Sequence, residues 1–389
     1  MTHTFLISRG EITEALEAIP SGARVFVCGH TRPDGDSMGS VLALTRALRL
    51  RNINATPLLA DNCTAPMPYQ WMTGCEDFAT PESLLASAES NDDDTPQTAT
   101  QAPLTSPPAK AIADFFIAVD TPDFGRLNEA GRLLKLAEKS LVIDHHPAVR
   151  ETYADLHFTD PSIAATGQLI WLLLRTMDWQ VDEHIATACY VSTLTDTGSF
   201  QFSNANEATF LAVSDMIKAG AEPAKIAKKL FSQKPLAALH LEGRILSRAK
   251  RLNGGAVIHS YLSDADLQEL GVAVDFTEDL VDLIRSARDT DVTLFITESS
   301  KGPRVSLRSN NNFDVSTVAQ HFGGGGHRAA AGIAWPDKAA GIDQILEDLL
   351  PHLPKHDEPL DDGEPLEWKY VEAPPQADNG KPQVGPLEI

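Results

Sequence analysis

Histidines and aspartates are concentrated in two short segments of the chain. The segment GHTRPDGDSMGS, residues 29–40, offers His30, Asp34 and Asp36 within seven residues, and IDHHP, residues 143–147, offers a carboxylate beside two imidazoles. Carboxylate and imidazole groups together are hard-to-borderline ligands, suited to Mn²⁺, Mg²⁺, Co²⁺ or Zn²⁺. The residue types therefore predict a divalent-metal site without sulfur ligands.

These residues follow segments that the sequence predicts to be buried. Strands are predicted at Arg24–Cys28, Phe115–Val119 and Leu141–Ile143; they are too apolar for half-exposed edges and alternate with helical segments, as in parallel α/β proteins. Asp120 follows the second strand, and Asp196 follows a predicted helix. The C-terminal ends of parallel strands form one crevice, so we expect these side chains to converge there.

Each acidic residue taken alone also has a structural explanation. A lone aspartate at a strand end more often caps a turn or helix than binds a metal, and Asp36 or Ser37 could cap the helix that follows. One of His145 and His146 could serve only as a hydrogen-bonding residue. Turn chemistry alone does not account for the combined pattern in one domain, which favours the metal site.

The charge of the chain limits the partners it can have. Its 389 residues include 32 Lys and Arg against 54 Asp and Glu, a net charge of −22. Affinity for a polyphosphate backbone comes mainly from Lys and Arg that displace counterions, so this balance argues against binding long nucleic acid, including long duplexes. Small anionic substrates need only a local positive site, which bound metal ions could supply.

The cysteine and hydropathy patterns indicate the cellular compartment of the protein. Four cysteines without C-x-x-C spacing are most simply reduced cytosolic thiols. The longest apolar run, Leu169 to Leu174, is far shorter than the ~18 residues of a membrane span, and the N-terminus lacks a signal-peptide pattern. We expect a soluble cytoplasmic protein without membrane contact.

The chain is predicted to form two α/β domains. A parallel-sheet domain over 1–205 contains an acidic, then Pro- and Thr-rich insertion at about 89–108 that we expect to be disordered. A helical connector over 206–251 leads to a smaller domain over 252–353, and an acidic, Pro-rich tail over 354–389 is expected to be disordered. The predicted elements of the smaller domain are strands at Ala256–Tyr261, Val292–Thr297 and Arg304–Leu307, and helices at Thr277–Ala287 and Asp314–Phe322.

Several motifs resemble those of one superfamily. HTRPDGDSMGS and IDHHP resemble the first and third signature motifs of the DHH phosphoesterases, while VDT at 119–121 and LTDTG at 194–198 are similar to the second and fourth. SLRS at 306–309, followed by FGGGGH and AAAG, resembles the DHHA1 domain. Within the superfamily, the chain most resembles the group of nanoRNases and 3′-phosphoadenosine-5′-phosphate phosphatases, because it has the same two-domain size and the full GGGGH sequence.

The resemblance implies a dinuclear centre that holds two divalent metal ions. We expect Mn²⁺, with Mg²⁺ or Co²⁺ as alternatives. The resemblance assigns roles as follows: His30 and Asp34 hold one metal ion; Asp36, His145 and Asp196 hold the other; Asp120 bridges both; His146 faces the substrate phosphate; and Asp144 orients the histidine pair. Two ions about 3.5–4 Å apart can activate a shared water, so no side-chain nucleophile is required. Asp120 and His146 are thus the expected catalytic residues.

The resemblance also places substrate recognition in the second domain. The implied residues are Arg308, Ser309, Gly323, Gly324, Gly325, Gly326 and His327. A GGGG run without context is usually a flexible loop; beside Arg308 and His327, its amides would form an anion nest, with the imidazole available to stack on a base. A cleft between the domains would limit substrate length. Arg126 could also reach a phosphate, with a surface ion pair as the alternative.

The function implied is metal-dependent hydrolysis of short RNA, linear dinucleotides of the pApA type and 3′-phosphoadenosine-5′-phosphate. A pyrophosphatase or exopolyphosphatase of the superfamily is the alternative, disfavoured because only Arg308 accompanies the glycine run. A single-strand DNA exonuclease fits the acidic charge less well. A non-catalytic nucleotide-binding regulator would be expected to lose acidic ligands, and none is missing. A homodimer is common for such proteins.

Overall fold

The computed structural model describes residues 8–90, 111–147, 152–272, 280–298 and 302–357. The chain divides into two compact units, Met1–Lys234 and Pro235–Ile389. Each contains one β-sheet with helices packed on it, which confirms the predicted α/β class with two domains. The predicted connector, 206–251, is shared between the units rather than separate from both, because its first two helices lie in the first unit and its last helix lies in the second.

The first unit is built on five parallel strands in the order β2-β1-β3-β4-β5. Their bounds are β1 Arg24–Cys28, β2 Asn54–Leu58, β3 Ala113–Val119, β4 Ala137–Asp144 and β5 Leu156–Thr159. Both faces are covered: alternate residues such as Val25 and Val27 enter one core, while Phe26 and Cys28 enter the other. This double burial explains why β1, β3 and β4 are continuous apolar runs in the sequence.

Helices pack on this sheet, and three of them position the functional side chains described below. The helices are α1 Arg9–Glu17, α2 Gly35–Leu50, α3 Pro81–Ser90, α4 Gly131–Leu134, α5 Thr166–Thr176, α6 Glu183–Asp196, α7 Glu207–Lys218 and α8 Pro223–Phe231. Helices α2, α5 and α6 pack against one another. A Cβ at Gly39 would lie 2.4 Å from the carbonyl oxygen of Ala188, so glycine permits the close approach of α2 to α6.

The second unit has a mixed sheet of six strands in the order β10-β11-β9-β8-β7-β6, in which only β7 and β8 are parallel. Its elements are α9 Leu236–Ser247, β6 Lys250–Leu252, β7 Val257–Leu262, α10 Asp264–Leu270, α11 Leu280–Arg285, β8 Val292–Thr297, β9 Arg304–Ser309, α12 Val315–His321, β10 Gly325–His327, β11 Ala330–Ala334 and α13 Ile342–Leu349. One core lies under α12 and α13, and a second lies under α9 and α11.

The predicted insertion and tail lie mostly outside the described residues. Residues 89 and 90 are the last two of α3, so the helix extends past the predicted start of the insertion. The first residues of the tail are packed: Asn253 donates from Nδ2 to Pro354 O at 3.1 Å, and its carbonyl accepts from His356 N at 3.0 Å. The ordered chain therefore continues past Leu353. Within the described ranges, every helix is too short or too polar to cross a membrane.

Candidate metal centre

The carboxyl ends of β1, β3 and β4 and the adjoining ends of α2 and α6 meet at one edge of the first sheet. Three groups of side chains with metal-ligating atoms lie there: His30, Asp34 and Asp120; Asp36, His145 and Asp196; and Asp120, Asp144, His145 and His146. The ligating atoms within each group are within 4.8 Å of one another. The structure thus brings together all the metal-ligand candidates named from the sequence.

Asp120 lies between the first two groups and turns one oxygen toward each. Its Oδ2 is 3.4 Å from His30 Nε2, and its Oδ1 is 3.8 Å from His145 Nε2 and 3.6 Å from His146 Nδ1. The residue has a positive φ of 53°, a conformation that aspartate and asparagine tolerate better than other side chains, and its amide donates to Ile143 O at 3.1 Å. The backbone therefore fixes the carboxylate in a shared position.

His30 and Asp34 are oriented by hydrogen bonds outside the group. His30 Nδ1 lies 2.8 Å from Thr31 O, and since a carbonyl only accepts, Nδ1 donates this hydrogen bond and Nε2 is the ring nitrogen that faces Asp34 and Asp120. Asp34 Oδ1 caps α2 by accepting from the amides of Asp36 and Ser37, both at 3.0 Å, while Oδ2 lies 3.7 Å from His30 Nε2. The capping role considered for Asp36 or Ser37 belongs to Asp34, which still has one oxygen free for a metal.

The second group has the same arrangement. His145 Nε2 is 3.6 Å from Asp36 Oδ2 and 3.5 Å from Asp196 Oδ2. Its Nδ1 lies 3.3 Å from Ile163 O and so carries the proton. Nε2 is buried and has no hydrogen-bond partner among the residues that the structure describes. A buried lone pair facing carboxylates fits a cation, because imidazole and carboxylate both supply electron pairs.

Asp36 is held by a set of donors that the sequence analysis did not identify. Its Oδ1 accepts from Gly167 N at 3.0 Å, Ser192 Oγ at 2.5 Å and Ser40 Oγ at 3.1 Å, and its Oδ2 accepts from Thr166 N at 2.8 Å. Two of these donors are amides of the first turn of α5, where the helix dipole favours a negative charge. The available signal was the Thr166-Gly167 pair that precedes the apolar segment of α5.

Asp144 orients the histidine pair mainly through His146. Its Oδ1 accepts from the amides of His145 and His146, at 2.8 and 3.2 Å, and from His146 Nδ1 at 2.8 Å. The ring of His145 is instead oriented by the carbonyl of Ile163. Since His146 Nδ1 donates its hydrogen bond to Asp144, the Nε2 of His146 is available to a substrate.

The carboxylates are crowded, and their pKa values are perturbed. Burial, followed by the charge of Asp36, raises the pKa of Asp120 well above its usual value, and burial with the charges of Asp36 and Asp34 raises that of Asp196 to about 8. Burial lowers the pKa of His30, but its hydrogen bonds to Asp120 and Asp34 outweigh this and raise the pKa to about 10. Divalent cations would relieve the repulsion between these carboxylates.

The second unit arranges its candidate residues differently from the prediction. The amides of Gly323 and Gly324 end α12 by donating to Gln320 O at 3.1 Å and Ala319 O at 2.7 Å, and Gly325 and Gly326 belong to β10. The predicted nest of four free glycine amides is therefore not formed. The small residues of β11 instead let the glycine segment pair as a strand, in which Gly326 with φ of +142° would bring a Cβ to 2.5 Å from Ala330 O.

Arg308 and His327 lie in one row of the second sheet. Ala330 of β11 is opposite His327 of β10 on one side and opposite Arg308 of β9 on the other, so two strand spacings, about 9–10 Å, separate their backbones. Arg308 is half-buried, which lowers its pKa, and donates from Nη1 to Leu307 O at 3.2 Å. Ser309 is buried at the end of β9 and donates to Asn311 O.

Two family models match the chain. Residues 24–193 match the DHH family, N-terminal domain, and residues 254–351 match the DHHA1 domain. The two matches do not overlap and together cover more than half of the chain. They include, in order, every residue of the first sheet's site except Asp196, which lies just beyond the first match.

Curated relatives and solved structures extend over most of the chain. A Thermus thermophilus protein named bifunctional oligoribonuclease and PAP phosphatase NrnA is 27% identical over 87% of this chain and 91% of its own length. The Bacillus subtilis protein of the same name is 25% identical over 87% of this chain and 97% of its own length. A crystal structure of an exopolyphosphatase-related protein from Bacteroides fragilis superposes with a TM-score of 0.76 at 21% identity, covering 88% and 95% of the two chains, and shares the fold.

Proposed function

Because the chain belongs to the DHH family and carries its DHHA1 domain, we propose that it is a metal-dependent hydrolase of short oligoribonucleotides and of linear dinucleotides of the pApA type. The same site would remove the 3′-phosphate of 3′-phosphoadenosine-5′-phosphate to leave AMP. The names of the relatives from Thermus thermophilus and Bacillus subtilis support both activities.

The observation that carries the proposal is the position of Asp120 between two sets of ligands. Its two oxygens face His30 on one side and His145 on the other. In this proposal His30 and Asp34 hold one divalent ion, Asp36, His145 and Asp196 hold a second, and Asp120 contacts both. The Nε2 atoms of the two histidines, which would give up any proton to bind a metal, and the clustered carboxylates fit hard-to-borderline ions, of which Mn²⁺ is our first choice and Mg²⁺ or Co²⁺ the alternatives.

When bound, two such ions lower the pKa of a shared water and neutralise the charge that develops on the phosphoryl and leaving oxygens. The protein supplies the rest of the chemistry by orientation. Asp144 accepts a hydrogen bond from His146 Nδ1 at 2.8 Å, which would leave Nε2 of this histidine to face the substrate phosphate. The donors around Asp36 fix that carboxylate before substrate binds, which avoids the cost of reorganisation during the reaction.

The second unit recognises the end of the substrate away from the scissile bond in this proposal. Arg308 would bind a phosphate, and His327, in the same row of the sheet, would stack on a base. Ser309 and the glycine segment at 323–326 shape the surface around these two residues. Gly325 and Gly326 leave the strand β10 without side chains, which lets a ligand approach its backbone closely.

The test is a direct comparison of substrates. Purified protein with Mn²⁺ would be offered pApA, 3′-phosphoadenosine-5′-phosphate, short RNA, pyrophosphate and a long RNA duplex. We expect hydrolysis of the first three and little turnover of the others. Preference for pyrophosphate would instead support a pyrophosphatase, and binding of AMP without turnover of any ester would support a regulator.

A further inference from the structure

Arg126 lies in the 3₁₀ segment Phe124–Ala130, and its carbonyl accepts at 2.8 Å from the amide of Thr31, the residue next to His30. Its side chain is half-buried. Burial raises the pKa of Asp34, but His30, the amide of Ser37 and the charge of Arg126 together lower it to about 2. Across the described ranges, no carboxylate forms an ion pair with Arg126, so the surface ion pair considered as an alternative for this residue is not formed. Its guanidinium remains available to an anion beside the metal centre.

Asp61 connects the loop that carries Arg126 to the loop that carries His30. Its Oδ2 accepts from Thr31 Oγ1 at 2.5 Å, and its Oδ1 accepts from Asn128 Nδ2. Thr31 in turn donates from its amide to Arg126 O at 2.8 Å. The loops that follow β1, β2 and β3 are thereby joined in a closed ring of hydrogen bonds, although Asp61 is outside the motifs found in the sequence.

The backbone of Asn128 indicates that this ring constrains the loop. Asn128 has φ of 41° and ψ of −121°, a conformation that residues other than glycine rarely adopt. Ala130 also donates to Ala60 O at 3.1 Å, which fixes the end of the same segment. Such a conformation persists only where surrounding contacts determine it, and the side-chain bond from Asn128 to Asp61 is the contact at this residue.

We propose that Arg126 binds a phosphoryl oxygen of the substrate and that Asp61 is the positioning residue that places it there. The proposal rests on the proposed function, because it assumes a phosphate ester at the metal centre. A planar guanidinium can bind two phosphoryl oxygens at once, which a lysine ammonium cannot do in the same geometry. Holding the loop in place before binding reduces the ordering needed when the substrate arrives.

The first test replaces Arg126. With Mn²⁺ and pApA, Arg126→Ala should lower kcat/KM by about 10- to 150-fold, the range of one charge-assisted contact, with most of the change in KM. Arg126→Lys should recover only part of the loss. Mn²⁺ affinity, measured by calorimetry, should stay at the wild-type value in both variants. A loss of Mn²⁺ affinity, or an unchanged KM, would overturn the role of Arg126.

The second test asks whether Asp61 acts through Arg126. Asp61→Asn keeps the volume but removes the negative charge that strengthens both hydrogen bonds and replaces one of the two acceptor oxygens, so it should raise KM in the same direction as Arg126→Ala. In the double variant we expect no loss beyond that of Arg126→Ala alone, whereas independent effects multiply. Asp77→Asn, an exposed aspartate paired with Arg49, is the matched control and should leave KM unchanged.

A third measurement separates this proposal from the proposed function. Were the wild type to hydrolyse none of the offered esters, the proposed function would fail, and binding of AMP in the presence of Mn²⁺ would then be measured by calorimetry. Weaker AMP binding by both Arg126→Ala and Asp61→Asn, with an unchanged melting temperature, would support the arginine site. Wild-type affinity for AMP in these variants would refute it, as would fully multiplicative losses in the double variant.

Discussion

Replacing Asp120 by asparagine separates the charge of this residue from its shape. Alanine is a poor choice here, since its backbone would have to adopt the positive φ of 53° without the side-chain hydrogen bonding that lets Asp and Asn tolerate it. Asparagine tolerates that φ and can still accept the bond that Thr166 Oγ1 donates to Oδ1 at 3.2 Å. Any loss in Asp120→Asn therefore reports on the missing negative charge.

The expected loss follows from the two contacts of Asp120. Removing one well-placed electrostatic stabiliser typically costs about 10²–10³ in rate, and Asp120 turns one oxygen toward each of the two ligand groups. We therefore expect kcat on pApA to fall by about 10⁴ or more, since two such contacts are lost together. Arg126→Ala, which removes at most one phosphate contact, should cost less.

Steady-state rates at saturating Mn²⁺ and metal titrations by calorimetry would measure the effect. Without metal, in EDTA, the variant should melt at the wild-type temperature or above it, because burial and the charge of Asp36 destabilise the ionised form of Asp120. A melting temperature that is not below the wild-type value distinguishes loss of a ligand from loss of the fold. Near-normal turnover of Asp120→Asn at saturating Mn²⁺ would refute the assignment of two metal ions sharing this carboxylate.

Three further predictions concern the rest of the molecule. Arg308→Ala or His327→Ala should reduce kcat/KM for pApA by about 10- to 150-fold while sparing bis(p-nitrophenyl) phosphate; equal losses on both substrates would contradict recognition by the second unit. In EDTA the melting temperature of the wild type should fall as pH rises from about 4 to 8, because the pKa of Asp196 is raised to about 8 and the folded state therefore binds this proton more tightly than the unfolded state. Asp196→Asn should flatten this decline. A variant whose melting temperature falls as steeply as that of the wild type would exclude Asp196 as the source. Deleting 91–108 and truncating after Asp357 should preserve activity. Truncating after Leu353 should lower the melting temperature by a few degrees, because Asn253 loses its hydrogen bonds to Pro354 and His356. Identical melting temperatures of the two truncated proteins would show that those bonds contribute nothing to stability.

The interior of the first unit was predictable because its strands are buried on both faces. The predicted strand at Arg24–Cys28 has the observed bounds, and those at Phe115–Val119 and Leu141–Ile143 lie in the C-terminal parts of β3 and β4. The edge strands were not predicted. β2 contains Pro57 and polar residues, and β5 has only four residues, so neither shows the continuous apolar run of a central strand.

The residue types of the metal centre were also determined by the sequence. Asp120 and the Asp144–His146 segment lie at the ends of apolar strands, and His30 lies just after one. Parallel strands place their carboxyl ends at one edge, so the convergence of His30, Asp120 and His145 follows from local pattern and topology. The family resemblance added the division of these ligands into two sets, which the distances around Asp120 now support.

Only the tertiary structure decided how each of these groups is oriented. The proton positions on His30 and His145 depend on the carbonyls of Thr31 and Ile163, and the second of these is distant in sequence from the ring it orients. The ring of bonds around Asp61 likewise joins segments far apart in the chain. Sequence patterns report burial and local backbone preference, whereas a hydrogen-bond partner is fixed by packing in three dimensions. This is why the ligands could be named in advance, while the residues that orient them, apart from Asp144, could not.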